Sequence, residues 1–453
     1  MAIIAPLRGL RYNLKKIGSL ERVITPPYDV IDKAQQDRFY LSHEHNIIRL
    51  ILGKNHPGDN GLDNRFIRAA KNYKRWWIKE VLVRDGEPAI YLYQIRYPLN
   101  GYKTRITRKG FICLLKLSDY QEGQIRPHER TFSATKEERL DLIDHAQANF
   151  SQVFTLYDDP RGRVVSILED GAQNVPPIEF ETGDGVSHSL RLVTDPEAHS
   201  AAARYFRDKT FYIADGHHRY ETCLAHRNRM RMKYPTAPFE SAFNYTTIYA
   251  TAFQDPGLKI LPAHRLVRDL PTMDHESFRE RLAGYFKIRE FPLGSDPGKA
   301  RERFKAALSA NGHNRNVLGY VRAGGETLTV LTLKEGVMSG VALPESLKGL
   351  DVIVLSEIIY GRTLDLSLDD LDNEKRFLYD ADLDSALDRI RGGEVEFGFL
   401  LNPTRIEQLR EVSDQGLVMP RKSTYFYPKV HTGLVINPLI PSEIVREPQI
   451  GED

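Results

Sequence analysis

Residues Asp215-Gly216-His217-His218-Arg219 put a carboxylate, two imidazoles and a guanidinium within five positions, directly after the apolar run Phe211-Tyr212-Ile213-Ala214. Those types suit chemistry on anions. A guanidinium fork binds carboxylate or phosphate oxygens in pairs, and imidazoles move protons near neutral pH. A helix beginning at this point would add unpaired N–H groups and the positive end of its dipole. Gly216 suits a φ > 0 turn between strand and helix, and Asp215 is placed to cap that helix. The block therefore reads as a phosphate clamp formed by Asp215, Gly216, His217, His218 and Arg219. Zinc is the weaker reading, because adjacent histidines point to different helix faces, unlike the i, i+4 pair of a helical zinc site.

Three further groups have the right types for chemistry, each with a plainer reading beside it. His128-Glu129, with Lys136 and Arg139 after it, can supply an acid, a base or a Mg²⁺ ligand; the same charges can equally form a loop of solvated ion pairs. Asp29 follows the stiff Pro26-Pro27-Tyr28 and suits a positioned base, although spacing alone favours a local Asx turn. Lys422, Ser423 and Thr424 bring a cation and two hydroxyls next to Tyr425-Phe426-Tyr427, a secondary nucleotide-binding candidate or simply a buried strand. Arg227, Arg229, Arg231 and Lys233 form a basic run, which fits a solvated helix C-terminus better than a nucleic-acid face.

The elements that must position these groups come from hydrophobic periodicity. Helices are expected over 63–80, from about 135 with Glu138 in a capping box, over 196–207 and over 217–233. Strands are expected over 88–97 and 111–117 as an antiparallel pair, and over 153–157, 211–214, 246–253, 260–265 and 396–401. Helix and strand patterns alternate beyond 300 as far as 386–390. The Gly-, Pro- and acid-rich stretch 169–188 reads as a loop, 291–300 as a joining segment, and 448–453 as a frayed tail.

The 453 residues suggest two or three domains, and 41% hydrophobic with 27% charged residues suits globular cores. A net charge of +2 argues against binding nucleic acid through a strong overall field. The two cysteines, Cys113 and Cys223, offer neither a disulfide framework nor a zinc ribbon. The start of the chain lacks the order of a signal peptide, and no run approaches the roughly 18 apolar residues that span a bilayer. A cytoplasmic location with no membrane partner is expected. P-loop, dinucleotide-fold and hydrolase-elbow signatures are absent.

The block Ala214-Asp215-Gly216-His217-His218-Arg219-Tyr220-Glu221-Thr222 resembles the domain of unknown function 1015 family. So do Pro27-Tyr28-Asp29-Val30, Pro127-His128-Glu129-Arg130-Thr131, Ala148-Asn149-Phe150-Ser151, Leu261-Pro262-Ala263-His264-Arg265 and the segment from Met419 to Lys429. The motif block is also similar to the phosphate-binding motif of the ParB/sulfiredoxin-like fold, which includes free serine kinases and CTP-binding partition proteins. That resemblance implies an α/β (mixed α+β) protein with a ParB/sulfiredoxin-like nucleotide-binding core and additional sub-domains. The expected layout is a core with insertions over 1–290, an inserted α/β sub-domain over 291–395, and C-terminal strands over 396–453 returning to the core.

The resemblance further implies phosphoryl transfer from ATP or ADP with Mg²⁺ to a small hydroxyl metabolite, most plausibly serine. Asp215, Gly216, His217, His218 and Arg219 would lie at the phosphates, with Lys422, Ser423 and Thr424 as a second contact. Asp29, His128, Glu129 and His218 would carry the proton and charge work, and Asp215 and Glu129 the metal. Two rivals stand beside it: a ParB-like nucleic-acid-associated protein or nuclease, and a nucleotide-binding regulator without chemistry.

Overall fold

The computed structural model describes residues 1–131, 133–268, 274–310, 312, 315–366 and 376–450. The chain forms two compact units. The larger holds residues 1–127, 131–259 and 428–453, and the smaller holds 128–130 and 260–427. Both mix helices with strands, so the protein is of the mixed α/β class.

The larger unit is built on a nine-stranded sheet. Its strands are β1 (Ile4–Ala5), β2 (Ile90–Tyr97), β3 (Ile106–Lys116), β4 (Ile125–Arg126), β5 (Val153–Tyr157), β6 (Ile178–Glu181), β7 (Ser187–Val193), β8 (Phe211–Asp215) and β9 (Tyr245–Ala252). The order is β4-β8-β5-β9-β3-β2-β7-β6, with β1 on β3. β8 runs parallel to β4 and β5 parallel to β9, while the other pairs are antiparallel.

Alternation in β3 sends Phe111, Cys113 and Leu115 to one face. There they join a core with Val164 and Leu168 of α3 (Arg163–Gly171), Ala202 and Phe206 of α4 (Pro196–Phe206), and Tyr220 and Cys223 of α5 (His217–Lys233). Leu140 and Ile143 of α2 (Ser133–Ala146) belong to the same core. Phe206 is fully buried, a contribution of about 2–3 kcal/mol from its apolar area. α4 starts where the sequence says it should: Pro196 is its first residue, and the Asp195 side chain accepts from the N–H groups of Glu197 and Ala198, the usual device for orphan donors. The Asn64 side chain caps α1 (Arg65–Ile78) in the same way.

The other sheet face is covered by the two ends of the chain. Gly9 donates to the Tyr91 hydroxyl at 3.0 Å, and Leu10 bridges Ile436. The fully buried Arg108 guanidinium lies 4.8 Å from the Phe154 ring centroid and donates to the Pro428 carbonyl at 2.9 Å. His431 meets the His188 ring edge-on at 4.9 Å, and Tyr93 contacts His188 Nδ1 at 2.8 Å.

The smaller unit has a six-stranded sheet of antiparallel pairs. Its strands are β10 (His264–Val267), β11 (Phe286–Pro292), β12 (Val317–Arg322), β13 (Thr327–Leu333), β14 (Phe377–Asp380) and β15 (Phe397–Leu400), in the order β11-β13-β12-β15-β10-β14. α6 (His275–Tyr285), α7 (Pro297–Ala310) and α8 (Leu383–Arg391) accompany it. Phe304 of α7 and Ile390 of α8 enter one core with Leu400. Gly398 permits this, since a Cβ there would fall 2.1 Å from Ile390. Phe278, Tyr320, Phe397, Phe399 and Tyr360 form a connected set of aromatic contacts, Tyr360 sitting on a nine-residue π-helix, Leu355–Thr363.

Four expectations need correction. The stretch 169–188 is not a plain loop: it holds the end of α3, the whole of β6 and the start of β7. β6 lies at the sheet edge with the sequence Ile-Glu-Phe-Glu, its two glutamates exposed, and acids on an edge strand deter further pairing. α2 begins at Ser133, which puts Glu138 beyond the first turn; its carboxylate meets Arg65 and Arg139. Residues 260–265 divide into Lys259–Leu261 and β10, interrupted at Pro262, which has no N–H for a ladder. The stretch 291–300 is the end of β11 and the start of α7, where Phe291 packs against Phe304. Residues 451–453 of the expected frayed tail lie outside the described residues. Among the described residues no helix is long and apolar enough to cross a membrane.

Candidate active site

The motif forms as the junction of β8 and α5. Phe211, Tyr212, Ile213 and Ala214 are buried, and the register against β5 shifts between Ile213 and Asp215. Gly216 follows at φ 91° as the helix N-cap, and α5 starts at His217. A Cβ on Gly216 would fall 2.8 Å from the Arg219 guanidinium. Glycine suits the left-handed φ, and a side chain here would also have to displace the Arg219 guanidinium. The first turn is anchored by Tyr220, whose fully buried hydroxyl donates to the Ser118 carbonyl at 2.8 Å. Burial pushes the Tyr220 phenol up to about 12, so it stays a neutral donor.

The expected capping role of Asp215 is corrected by this geometry. The N-cap is Gly216, and both Asp215 oxygens take cations. Oδ2 accepts from Arg219 Nη2 at 2.6 Å, and Oδ1 from Lys429 Nζ at 2.5 Å. All three side chains are only 10–13% exposed. Charges so removed from water must be paired and held in good geometry. Arg219 Nη1 also donates to the Gln152 carbonyl. His217 is buried and His218 half-buried; the carbonyl of His218 accepts from Thr222 Oγ1 at 2.7 Å.

Beside this junction the larger unit holds a small cleft of about 60 Å³. Arg219 and Thr222 of α5 line it, with Arg139 of α2, Tyr28, Ser151 and Thr432. Tyr28 and Asp29 sit on one short 3-10 turn, Tyr28–Val30. The Arg139 guanidinium lies 4.1 Å from the Tyr28 ring centroid. Burial raises the Tyr28 phenol to about 12, Asp29 adds to the rise, and Arg139 and Arg219 oppose it. Next to the cleft, Glu221 accepts from Thr131 Oγ1 at 2.7 Å and from Lys136 Nζ at 2.9 Å, tying the loop before α2 to α5.

The remaining expected residues gather in the smaller unit. His128 is fully buried, its Nε2 is 2.9 Å from Thr424 Oγ1, and its carbonyl accepts from the Met419 N–H at 2.8 Å. Glu129 bridges Met419 in parallel register. Ser423 Oγ donates to the Pro420 carbonyl at 2.6 Å, and the Ser423 carbonyl accepts from Thr404 Oγ1 at 2.7 Å. Lys422 adopts φ 57°, and its carbonyl accepts from Arg265 at 2.9 Å.

The basic run at the end of α5 is engaged in structure. Arg227 reaches Asp119 and the Leu117 carbonyl, Arg229 reaches Asp144, and Arg231 reaches Asn244 and two carbonyls. Sequence reasoning did not place Lys429 or Thr432 at the site, and it named Tyr28 and Arg139 only as companions of Asp29 and of His128-Glu129. Three of them stand in or beside blocks that carried the family resemblance, which was the available signal.

A profile described as "Protein of unknown function (DUF1015)" matches residues 4–353. No curated protein matches the sequence. Among solved structures, a free serine kinase in complex with AMP aligns over 68% of this chain and 84% of its own, at 12% identity and TM-score 0.33. A mutant free serine kinase in complex with ADP aligns over 74% and 92%, at 11% identity and TM-score 0.35. C-terminally truncated SbnI from Staphylococcus aureus aligns over 72% and 87%, at 9% identity and TM-score 0.34. Because the profile spans most of the sequence, the motif included, the chain belongs to the DUF1015 family.

Proposed function

We propose that the protein transfers a phosphoryl group from ATP or ADP to a small hydroxyl metabolite, with free serine as the first acceptor to test. One observation carries the reading: Arg219 belongs both to the first turn of α5 and to the wall of the cleft. A guanidinium on a cavity wall is suited to phosphate oxygens. The likeness of the motif to ParB/sulfiredoxin-like phosphate sites supports the same assignment.

In this reading catalysis comes from positioning and charge stabilisation, since phosphoryl transfer asks little covalent chemistry of the protein. Arg219 and the N–H groups at the start of α5 hold the phosphates, and His218 steadies the transferring group. Asp29, beside the cleft-lining Tyr28, takes the proton from the acceptor hydroxyl. Mg²⁺ would ordinarily bridge donor phosphates. Asp215 does not fit as its ligand in the arrangement seen, since its oxygens are held by Lys429 and Arg219. Among the described residues no group of three His, Cys, Asp or Glu could hold a metal ion.

The test is nucleotide-induced thermal stabilisation with ATP, ADP, CTP and AMP on wild type and Arg219→Ala, followed by product detection with serine and other hydroxyl compounds. Ligand that binds only the folded state raises the melting temperature. Full nucleotide affinity and turnover in Arg219→Ala would sink the assignment. Tight binding with no product from any acceptor would favour a nucleotide-binding regulator.

A further inference from the structure

Arg139 is only 7% exposed, yet it lines the same cleft as Arg219. A guanidinium buried to that degree is costly unless its five donors are met. Nη1 donates to the Ile51 carbonyl at 2.7 Å, and Nη2 meets Glu138. Glu138 is not exclusive to it, because Arg65 holds the same carboxylate oxygen at 3.1 Å. Nε of Arg139 is buried with no hydrogen-bond partner. Below the guanidinium lies the Tyr28 ring, at 4.1 Å. Arg139 is thus locked in place, shares its counter-ion and keeps an unmet donor.

Arg219 is fixed in the same manner, by Asp215 and the Gln152 carbonyl. The cleft therefore presents two pre-positioned guanidiniums, one from α2 and one from α5. A ligand with one phosphate occupies one such fork. A ligand with two adjacent phosphates can occupy both, and pre-positioned forks lose little entropy on binding.

We propose that Arg139 is a second anion-binding residue of this cleft, and that with Arg219 it selects ligands carrying two neighbouring phosphate groups over monophosphates. The ligand class is a nucleoside diphosphate, or the diphosphate end of a triphosphate. The proposal rests on the phosphate reading of Arg219 given above. It adds Arg139 to that site and sets an order of affinity among its ligands.

The experiment is calorimetric titration of the full chain with AMP, ADP and inorganic pyrophosphate, for wild type, Arg139→Gln and Arg139→Lys. Tryptophan fluorescence checks that each variant is folded. Wild type binds ADP about 30-fold more tightly than AMP, the equivalent of a charged hydrogen-bond pair. Arg139→Gln reduces that ratio to about 3-fold or less while AMP affinity changes little, and Arg139→Lys falls between because it keeps the charge without the fork. Equal loss of AMP and ADP affinity in Arg139→Gln would make Arg139 a purely structural residue and overturn the proposal. So would a wild type without preference. If Arg139→Gln does not fold, Arg139→Lys decides, an unchanged ratio overturning the proposal. Pyrophosphate binding that needs Arg139, with no nucleotide binding, keeps this proposal and removes the nucleotide reading. ADP binding with a ratio indifferent to Arg139 does the reverse.

Discussion

The junction at 215–219 and the turn at 420–424 carry similar side chains, cations next to hydrogen-bonding oxygens, but use them differently. At the turn the hydroxyls serve the fold. Ser423 closes the turn onto Pro420, Thr424 meets buried His128, and the Lys422 carbonyl takes Arg265. At the junction the cations are also paired, but Arg219 and its neighbour Arg139 stand on the wall of a cleft. Residue type nominates both places equally. What separates them is whether a group's hydrogen-bonding capacity ends inside the protein or faces a space that a ligand can enter.

Arg219→Ala should break the comparison most sharply. Losing charge-assisted bonds of about 2–3 kcal/mol lowers nucleotide affinity by about 30- to 100-fold, while Ser423→Ala changes it less than about 3-fold on the same argument. Titration calorimetry reads both, and a larger effect from Ser423→Ala would reverse the ranking.

Acid should separate the two units next. Burial holds His188 down to about 2, helped by His431 and Arg108, and holds His431 down to about 4. Both are neutral when folded, so their stabilisation is complete above the unfolded value near 6.5 and is lost progressively as pH falls towards about 4 and below. Asp255, which burial pushes up, partly offsets them. In the smaller unit, burial lowers His264 to about 4 and raises Asp351 to about 6. Those two act with opposite sign over the same window and largely cancel. The only tryptophans, Trp76 and Trp77, lie in the larger unit. Urea unfolding followed by their fluorescence should lose stability between pH 6.5 and 4.5 by on the order of 1–3 kcal/mol per pH unit, more steeply than circular dichroism of the whole chain. Coincident curves would show that the units unfold together.

Gly216→Ala should cost about 1–3 kcal/mol in the same unfolding assay, through a left-handed φ and a collision with Arg219, and should weaken nucleotide binding as well. Lys422→Gly is the smallest effect and has the opposite sign. Relief of φ 57° leaves stability unchanged or raises it by up to about 1 kcal/mol, with binding untouched. Destabilisation there would mean that the Lys422 side chain contributes more than its backbone strain costs.

The junction was legible because its signals are local. An apolar four-residue run, one glycine and a long helical pattern are contained in 211–233, and strand and helix fall there as expected. β6 was hidden because an edge strand of alternating acids looks like a loop in composition. The partner of Asp215 was hidden for a different reason. Lys429 is 214 positions away, and no periodicity connects them; the local rule for an Asp before a helix gave capping instead. Arg139 and Tyr28 were likewise visible as residues but not as neighbours, because their contact depends on how α2 settles on the larger unit.

The larger unit is left at residue 259 and resumed at 428, and this imposes an order in time on a ribosome. Arg219 and Asp215 emerge early, but Lys429 and Thr432 follow only after residues 260–427, roughly ten to thirty seconds later at ordinary elongation rates. Until then the Asp215 carboxylate lacks one of its two cations and the cleft lacks part of its wall. A nascent chain halted before residue 428 would carry the full motif and an unfinished pocket, so ligand-binding competence should appear only once residues 428–432 have been made.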